Sequence, residues 1–107
     1  MQKQKLTKKQ KNKLDREWRQ AIKERDKFCQ VCGPGVEHKV LNAHHLIPKQ
    51  FIKFRWDLRN GMMLCFQHHS LGRYSAHQHP VWFAQWLRIN RPEIFEWIVM
   101  RMELDVR

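Results

Sequence analysis

The sequence predicts an α+β domain, and three observations carry the prediction. A lysine-rich stretch with helical spacing opens the chain, two short extended segments beside cysteines and histidines follow, and two apolar stretches, each begun by a proline, close it. At 107 residues the chain is sized for one domain, whose modest core would gain from a covalent or metal staple.

The elements follow in order. "TKKQKNKLDREWRQAIKERDKF" is read as a helix capped by Thr7, with Leu14, Trp18, Ala21/Ile22 and Arg25 recurring every three to four residues. Residues 1 to 6 are expected to fray. Gly33-Pro34-Gly35 is a tight turn, "KVLNAHHLIPKQF" gives a short strand and then a loop at Pro48, and "FRWDLRNGMMLC" gives a loop entering a second strand with Asn60-Gly61 as turn signal. Beyond Cys65 the reading is helical from His68 to Tyr74. Pro80 then opens "PVWFAQWLRIN" and Pro92 opens "PEIFEWIVMRMELDV", with an apolar stripe of Ile94, Phe95, Ile98, Val99, Met102 and Val106. Trp82, Phe83, Trp86, Phe95 and Trp97 could stack on bases, but helical spacing favours core packing. The organisation expected is a basic N-terminal arm or helix (1–27), a central core (28–79) and C-terminal helices packed on it (80–107).

Charge is uneven. Residues 1–27 hold eleven Lys/Arg against four Asp/Glu, a net of +7, and residues 28–107 hold ten against six, leaving +4. Such a patch attracts polyanions by releasing their counterions, although a solvated tail has the same composition. The lysines of the arm, Lys8, Lys9, Lys11 and Lys13, are the candidate DNA contacts there. No apolar run reaches membrane-spanning length and no apolar stretch follows the first lysines, so the expectation is a soluble, cytoplasmic protein without a membrane partner.

Three cysteines cannot pair completely, and metal ligation is the better use for them. Cys29-x-x-Cys32 before the Gly-Pro-Gly turn forms one half-site, and Cys65-x-x-His68 repeats the same gap. Together they offer three sulfurs and one nitrogen, a set suited to a closed structural Zn²⁺. His69 is then left free. His44 and His45 form another adjacent pair, and on a strand neighbouring side chains point to opposite faces. One ring can hold a metal while the other serves as a general base. Taken alone, a histidine pair lying beside a structural zinc explains them better.

The order Cys-x-x-Cys, His44-His45 before Ile47-Pro48, Asn60, then Cys65-x-x-His68-His69 resembles the HNH endonuclease family, whose core is a ββα-metal motif. "RWDLRNGMMLCFQHH" in particular is similar to a segment of phage and prophage members of that family, and the resemblance covers about residues 29 to 79. It implies a DNA phosphodiester hydrolase leaving 5′-phosphate and 3′-hydroxyl ends. His45 would be the general base, His44 and His69 would hold a catalytic divalent cation, and Asn60 would orient His45 or complete the metal shell. The cation would be Mg²⁺ or Mn²⁺, with Ni²⁺ or Zn²⁺ also compatible. Two departures stand out: the last zinc ligand is His68 rather than cysteine, and one turn beyond His69 the chain has Arg73 where relatives often place a third histidine, so His77 or Asn60 would have to fill in. Arg55 and Arg73 are candidate phosphate contacts, Asp57 could fix Arg55 or cap the turn, His77 and His79 read as loop or cap residues, and His38 reads as a surface histidine. The alternative reading is a non-catalytic zinc-binding module that only binds nucleic acid. Monomer and homodimer are both compatible with the sequence.

Overall fold

The structure, a computed structural model, describes the backbone of residues 5–106 and the side chains of residues 5–103. The expected fraying of the first residues thus falls largely outside the described residues, as does the side chain of Val106. Helix α1 (Lys8–Asp26) starts at Thr7, whose hydroxyl accepts the Gln10 N–H while the Gln10 side-chain oxygen accepts the Thr7 N–H. This reciprocal pair satisfies two amides that the first helical turn leaves open. Lys27, at φ 66°, ends the helix, and its N–H still reaches the Lys23 carbonyl. Far from projecting as an arm, α1 buries Trp18 and Ile22 against Met63.

Strands β1 (Leu41–His45) and β2 (Gly61–Cys65) pair antiparallel, with Leu41 opposite Cys65 and His45 opposite Gly61. β2 is buried along its whole length, because it is covered on both faces. Met63 faces Trp18 and Ile22 of α1, whereas Met62 and Leu64 join Phe83 and Leu87 on the other side, the two-residue alternation of a strand. The hairpin is therefore the middle layer between α1 and helices α2 (Pro80–Asn90) and α3 (Pro92–Val106). The fold is α+β, as the sequence predicts.

Gly61 lets α1 approach. A Cβ there would stand 2.6 Å from both Ile22 Cδ1 and Trp18 Cζ2. Gly61→Ala is expected to cost about 1–3 kcal/mol through overpacking. A urea melt reads it, and an unchanged midpoint would mean that α1 yields freely.

Two expectations need correction. The helix expected over 68–74 is shorter and of another type: a single π-helical turn, Gln67–Leu71, closes with the Gly72 N–H on the Gln67 carbonyl at 2.8 Å, and Gly72 then turns extended at ψ 157°. The α3 stripe is also narrower than its periodicity suggests. Ile94, Phe95 and Ile98 pack on the core, but Val99 is exposed, and Trp97 instead meets Phe54 edge to face at 6.0 Å. Phe83 is buried, and Trp82, Trp86 and Phe95 pack around that same core, as expected of core aromatics.

Candidate active site

Two clusters of metal-ligating side chains emerge, and they divide at the bond between His68 and His69. In the first, Cys29, Cys32, Cys65 and His68 bring their ligand atoms within 4.8 Å of one another. His68 Nδ1 lies 3.3 Å from the sulfurs of Cys32 and Cys65 and 3.8 Å from that of Cys29, and Cys32 and Cys65 are 3.9 Å apart. Tetrahedral donors around zinc would be separated by roughly 3.5–3.8 Å, from metal–sulfur and metal–nitrogen bonds of about 2.3 and 2.1 Å. Burial first, and then the adjacent Cys29 and Cys65 sulfurs, push the Cys32 thiol up to about 12, so a cation is what would let these sulfurs ionise together.

Local structure makes the convergence. Gly33 and Gly35 take φ 85° and 87°, left-handed values that suit glycine, and the Gly33 N–H returns to the Cys29 carbonyl at 2.9 Å. The Gln30 N–H bonds the Met63 carbonyl, tying this knuckle to β2. His38, expected on the surface, is half-buried, and its Nε2 is enclosed without a hydrogen-bond partner among the described residues. Burial, and then the nearby His38, lower the pKa of His68.

The second cluster is His44, His69 and His77. The ring centroids of His44 lie 5.1 Å from those of both His69 and His77, and the Nε2 atoms of His69 and His77 are 3.1 Å apart. Two nitrogens at right angles on an ion about 2.1 Å away would be roughly 3 Å apart, so this donor set fits a divalent cation. Burial, followed by the charges of His69, His77 and His45, holds His44 down to about 3, which keeps it neutral, the state a ligand needs. His77 arrives because the loop folds back: the Ala76 and His77 N–H groups bond the carbonyls of His68 and His69 at 2.8 and 3.0 Å. The position after a helical turn, Arg73, lies past the end of the π-type turn at Leu71, so no helix sets its direction toward these ligands. Arg73 is exposed and its guanidinium lies over Tyr74 at 5.7 Å. His79 caps α2, accepting the Trp82 N–H at 3.2 Å.

His45 is set apart from its neighbour. Its ring stacks on Trp18 at 3.9 Å with the planes 6° apart, and its Nε2 faces the Arg55 carbonyl at 3.0 Å. A carbonyl only accepts, so Nε2 carries the proton and Nδ1 keeps the lone pair. Burial lowers the His45 pKa, opposed by the Arg55 carbonyl and the Asp15 carboxylate. His45 and all three clustered histidines line one cleft of about 590 Å³, which continues over Phe83 and Leu87.

Asn60 does not bond His45. It is fully buried, accepts the Ile47 N–H at 2.6 Å, and donates to the carbonyls of Ile47 and Phe54 at 3.0 and 3.1 Å. Its amide satisfies loop backbone that has no strand partner, so both ends of the side chain are committed to the loop and not to a metal shell. Arg55 is likewise committed inward: Nε and an Nη donate to the two Asp15 carboxylate oxygens at 3.0 and 2.7 Å, with both side chains only 15 % exposed. A guanidinium held in this way is poorly placed to bind phosphate. Asp57 pairs with Arg59 and caps its turn. Sequence reading missed Asp15 and Trp18; the signal available was an acid one turn before Trp18 on the apolar face of a basic helix.

The Arg55 hydrogen bonds hold the Asp15 carboxyl below the usual carboxylate range. Its stabilising contribution is present above the unfolded value, about 3.9, and is lost as pH falls through the lower folded value. Asp15→Asn is expected to cost about 1–3 kcal/mol at neutral pH and less in acid, as urea melts at the two pH values would show. An equal loss at both would exclude this pairing.

Fold and site together define a small α+β module with two clusters of side chains able to hold a metal ion. Residues 29–71 match the family model described as HNH endonuclease, so over this segment the chain is similar to that family. The match includes His44, His45, Asn60, His68 and His69, while α1, His77 and the C-terminal helices lie outside it. No curated protein and no solved structure matches the chain. No described helix is long and apolar enough to cross a membrane.

Proposed function

We propose that this protein is a divalent-metal-dependent DNA endonuclease that hydrolyses phosphodiester bonds to 5′-phosphate and 3′-hydroxyl ends. The observation that carries the reading is the shared cleft: His45, fixed in one tautomer, opens onto the same space as His44, His69 and His77. Cys29, Cys32, Cys65 and His68 would hold a structural Zn²⁺, with no position left for a water. His44, His69 and His77 would hold the catalytic ion, and water would fill its remaining positions. When bound, a divalent ion that accepts imidazole ligands, such as Mn²⁺, Ni²⁺ or Zn²⁺, would supply Lewis-acid stabilisation for charge growing on the phosphate and the leaving 3′ oxygen.

The chain's own residues supply the rest. His45 Nδ1 takes a proton from the attacking water, a role open to a neutral imidazole at physiological pH. The positive charge that forms on the ring is met by the Arg55 carbonyl at Nε2 and by the Trp18 face beneath it. Asn60 keeps the 46–60 loop, and with it the Arg55 carbonyl, at the end of β1. Arg73 remains a candidate phosphate contact. The reading is tested on the product ends: nicked plasmid is expected to be resealed by DNA ligase without prior treatment. Ends that need phosphatase removal of a 3′-phosphate first would reject this chemistry.

A further inference from the structure

We propose that the cleft between α1 and the hairpin is a track for the DNA backbone leading to the three-histidine site, and that Arg16, Arg19 and Lys23 hold the strand in it. The proposal rests on the nuclease reading only for its direction, toward a scissile phosphate at His69. The cleft measures about 450 Å³; Arg16, Arg19, Gln20 and Lys23 form one side, residues 41–43 the other, and His69 also lines it. Ala43 and His69 line the His45 cleft as well, so the two spaces adjoin at these residues, and a strand held in the first would reach the second past His69.

Charge and spacing agree with that occupant. Arg16, Arg19 and Lys23 recur at intervals of three and four, which places them on one face of α1, beside the face that buries Trp18 and Ile22. From Arg16 to Lys23 the stripe spans about 10 Å at 1.5 Å per residue. All three are exposed, and none forms an ion pair among the described residues. The acids of α1 are engaged elsewhere: Asp15 with Arg55, Asp26 with Arg25, Glu17 with Lys13 and Glu24 with Gln20. Three cations without an ion-pair partner among the described residues, facing an open groove, suit a row of phosphates, whose condensed counterions they would displace. Lys8, Lys9 and Lys11 sit on the first turn of the same helix and do not line the cleft. The strand contacts expected of them from sequence pass, in this proposal, to the residues two and more turns further on.

The test compares two triple variants of equal charge, Arg16→Gln/Arg19→Gln/Lys23→Gln and Lys8→Gln/Lys9→Gln/Lys11→Gln. Binding of a short fluorescein-labelled DNA duplex is followed by anisotropy across a salt series, without added divalent ion. The cleft variant is expected to lose about two to three units of the log–log salt slope, at about 0.9 per phosphate contact, and the terminal variant less than half as much. The charge-preserving Arg16→Lys/Arg19→Lys variant is expected to keep the wild-type slope. Equal losses in the two triples would overturn the track, since net charge alone would then explain binding. The readout is independent of cleavage: an inactive wild type that still shows the difference would remove the nuclease reading and keep the track, while an active enzyme with equal losses would do the reverse.

Discussion

His45→Ala is expected to lose about 10²- to 10⁴-fold in the rate of strand cleavage, the contribution of a positioned general base, while zinc content and DNA affinity stay near wild type and the melting temperature falls only by what one stacked ring and one hydrogen bond contribute. The separation follows from geometry. His45 is not among the ligands of either cluster, and it is half-buried at the end of β1, where its ring is held by one hydrogen bond and one stacked indole. Single-turnover cleavage beside anisotropy binding checks the result. Cleavage that survives undiminished in His45→Ala would remove the assigned mechanism, whatever the role of the metal.

Cys65→Ser is expected to have the opposite signature, loss of the fold together with everything built on it. Cys65 is buried at the end of β2, and its sulfur stands 3.3 Å from His68 Nδ1. Zinc binding contributes about 10–16 kcal/mol in small zinc peptides, comparable to or larger than the stability of a typical domain. Losing one ligand, or the ion, should therefore unfold the core around Met62, Leu64 and Phe83, which packs directly on Cys29 and Cys65. Circular dichroism before and after chelation reads this, and a chelated protein that keeps its native spectrum would contradict it. The next residue but three is affected too: because His69 follows His68, losing the first cluster also releases a ligand of the second.

Much of this plan was legible from spacing. Two gaps of two residues mark the four-ligand cluster, and strand alternation places His44 and His45 on different partners, which the structure realises with His69 and His77 on one side and Trp18 on the other. What spacing could not show depends on contacts distant in sequence or on loop backbone. His77 lies eight residues beyond His69 and reaches it only because the loop after Gly72 bonds back to the π-type turn; a helical reading of 68–74 points to Arg73 instead. Arg55 looks like a free phosphate ligand until Asp15, forty residues earlier, is seen to occupy its fork. Asn60 reads as a partner for His45, whereas the unpaired backbone of the 46–60 loop claims its amide first. Trp18 fits a plain apolar stripe, and only the fold reveals the ring of His45 above it.

The most direct test of the account is strand breakage itself. Protein carrying one equivalent of zinc, enough for the four-ligand cluster alone, is incubated with supercoiled plasmid, with and without added Mg²⁺ or Mn²⁺. The account predicts nicked or linear DNA only when the second ion is supplied, and intact plasmid with His45→Ala under the same conditions. Tight binding of plasmid by the wild type with no broken strand under any of these ions would contradict it, and would leave a zinc-stapled module that binds nucleic acid without cutting it.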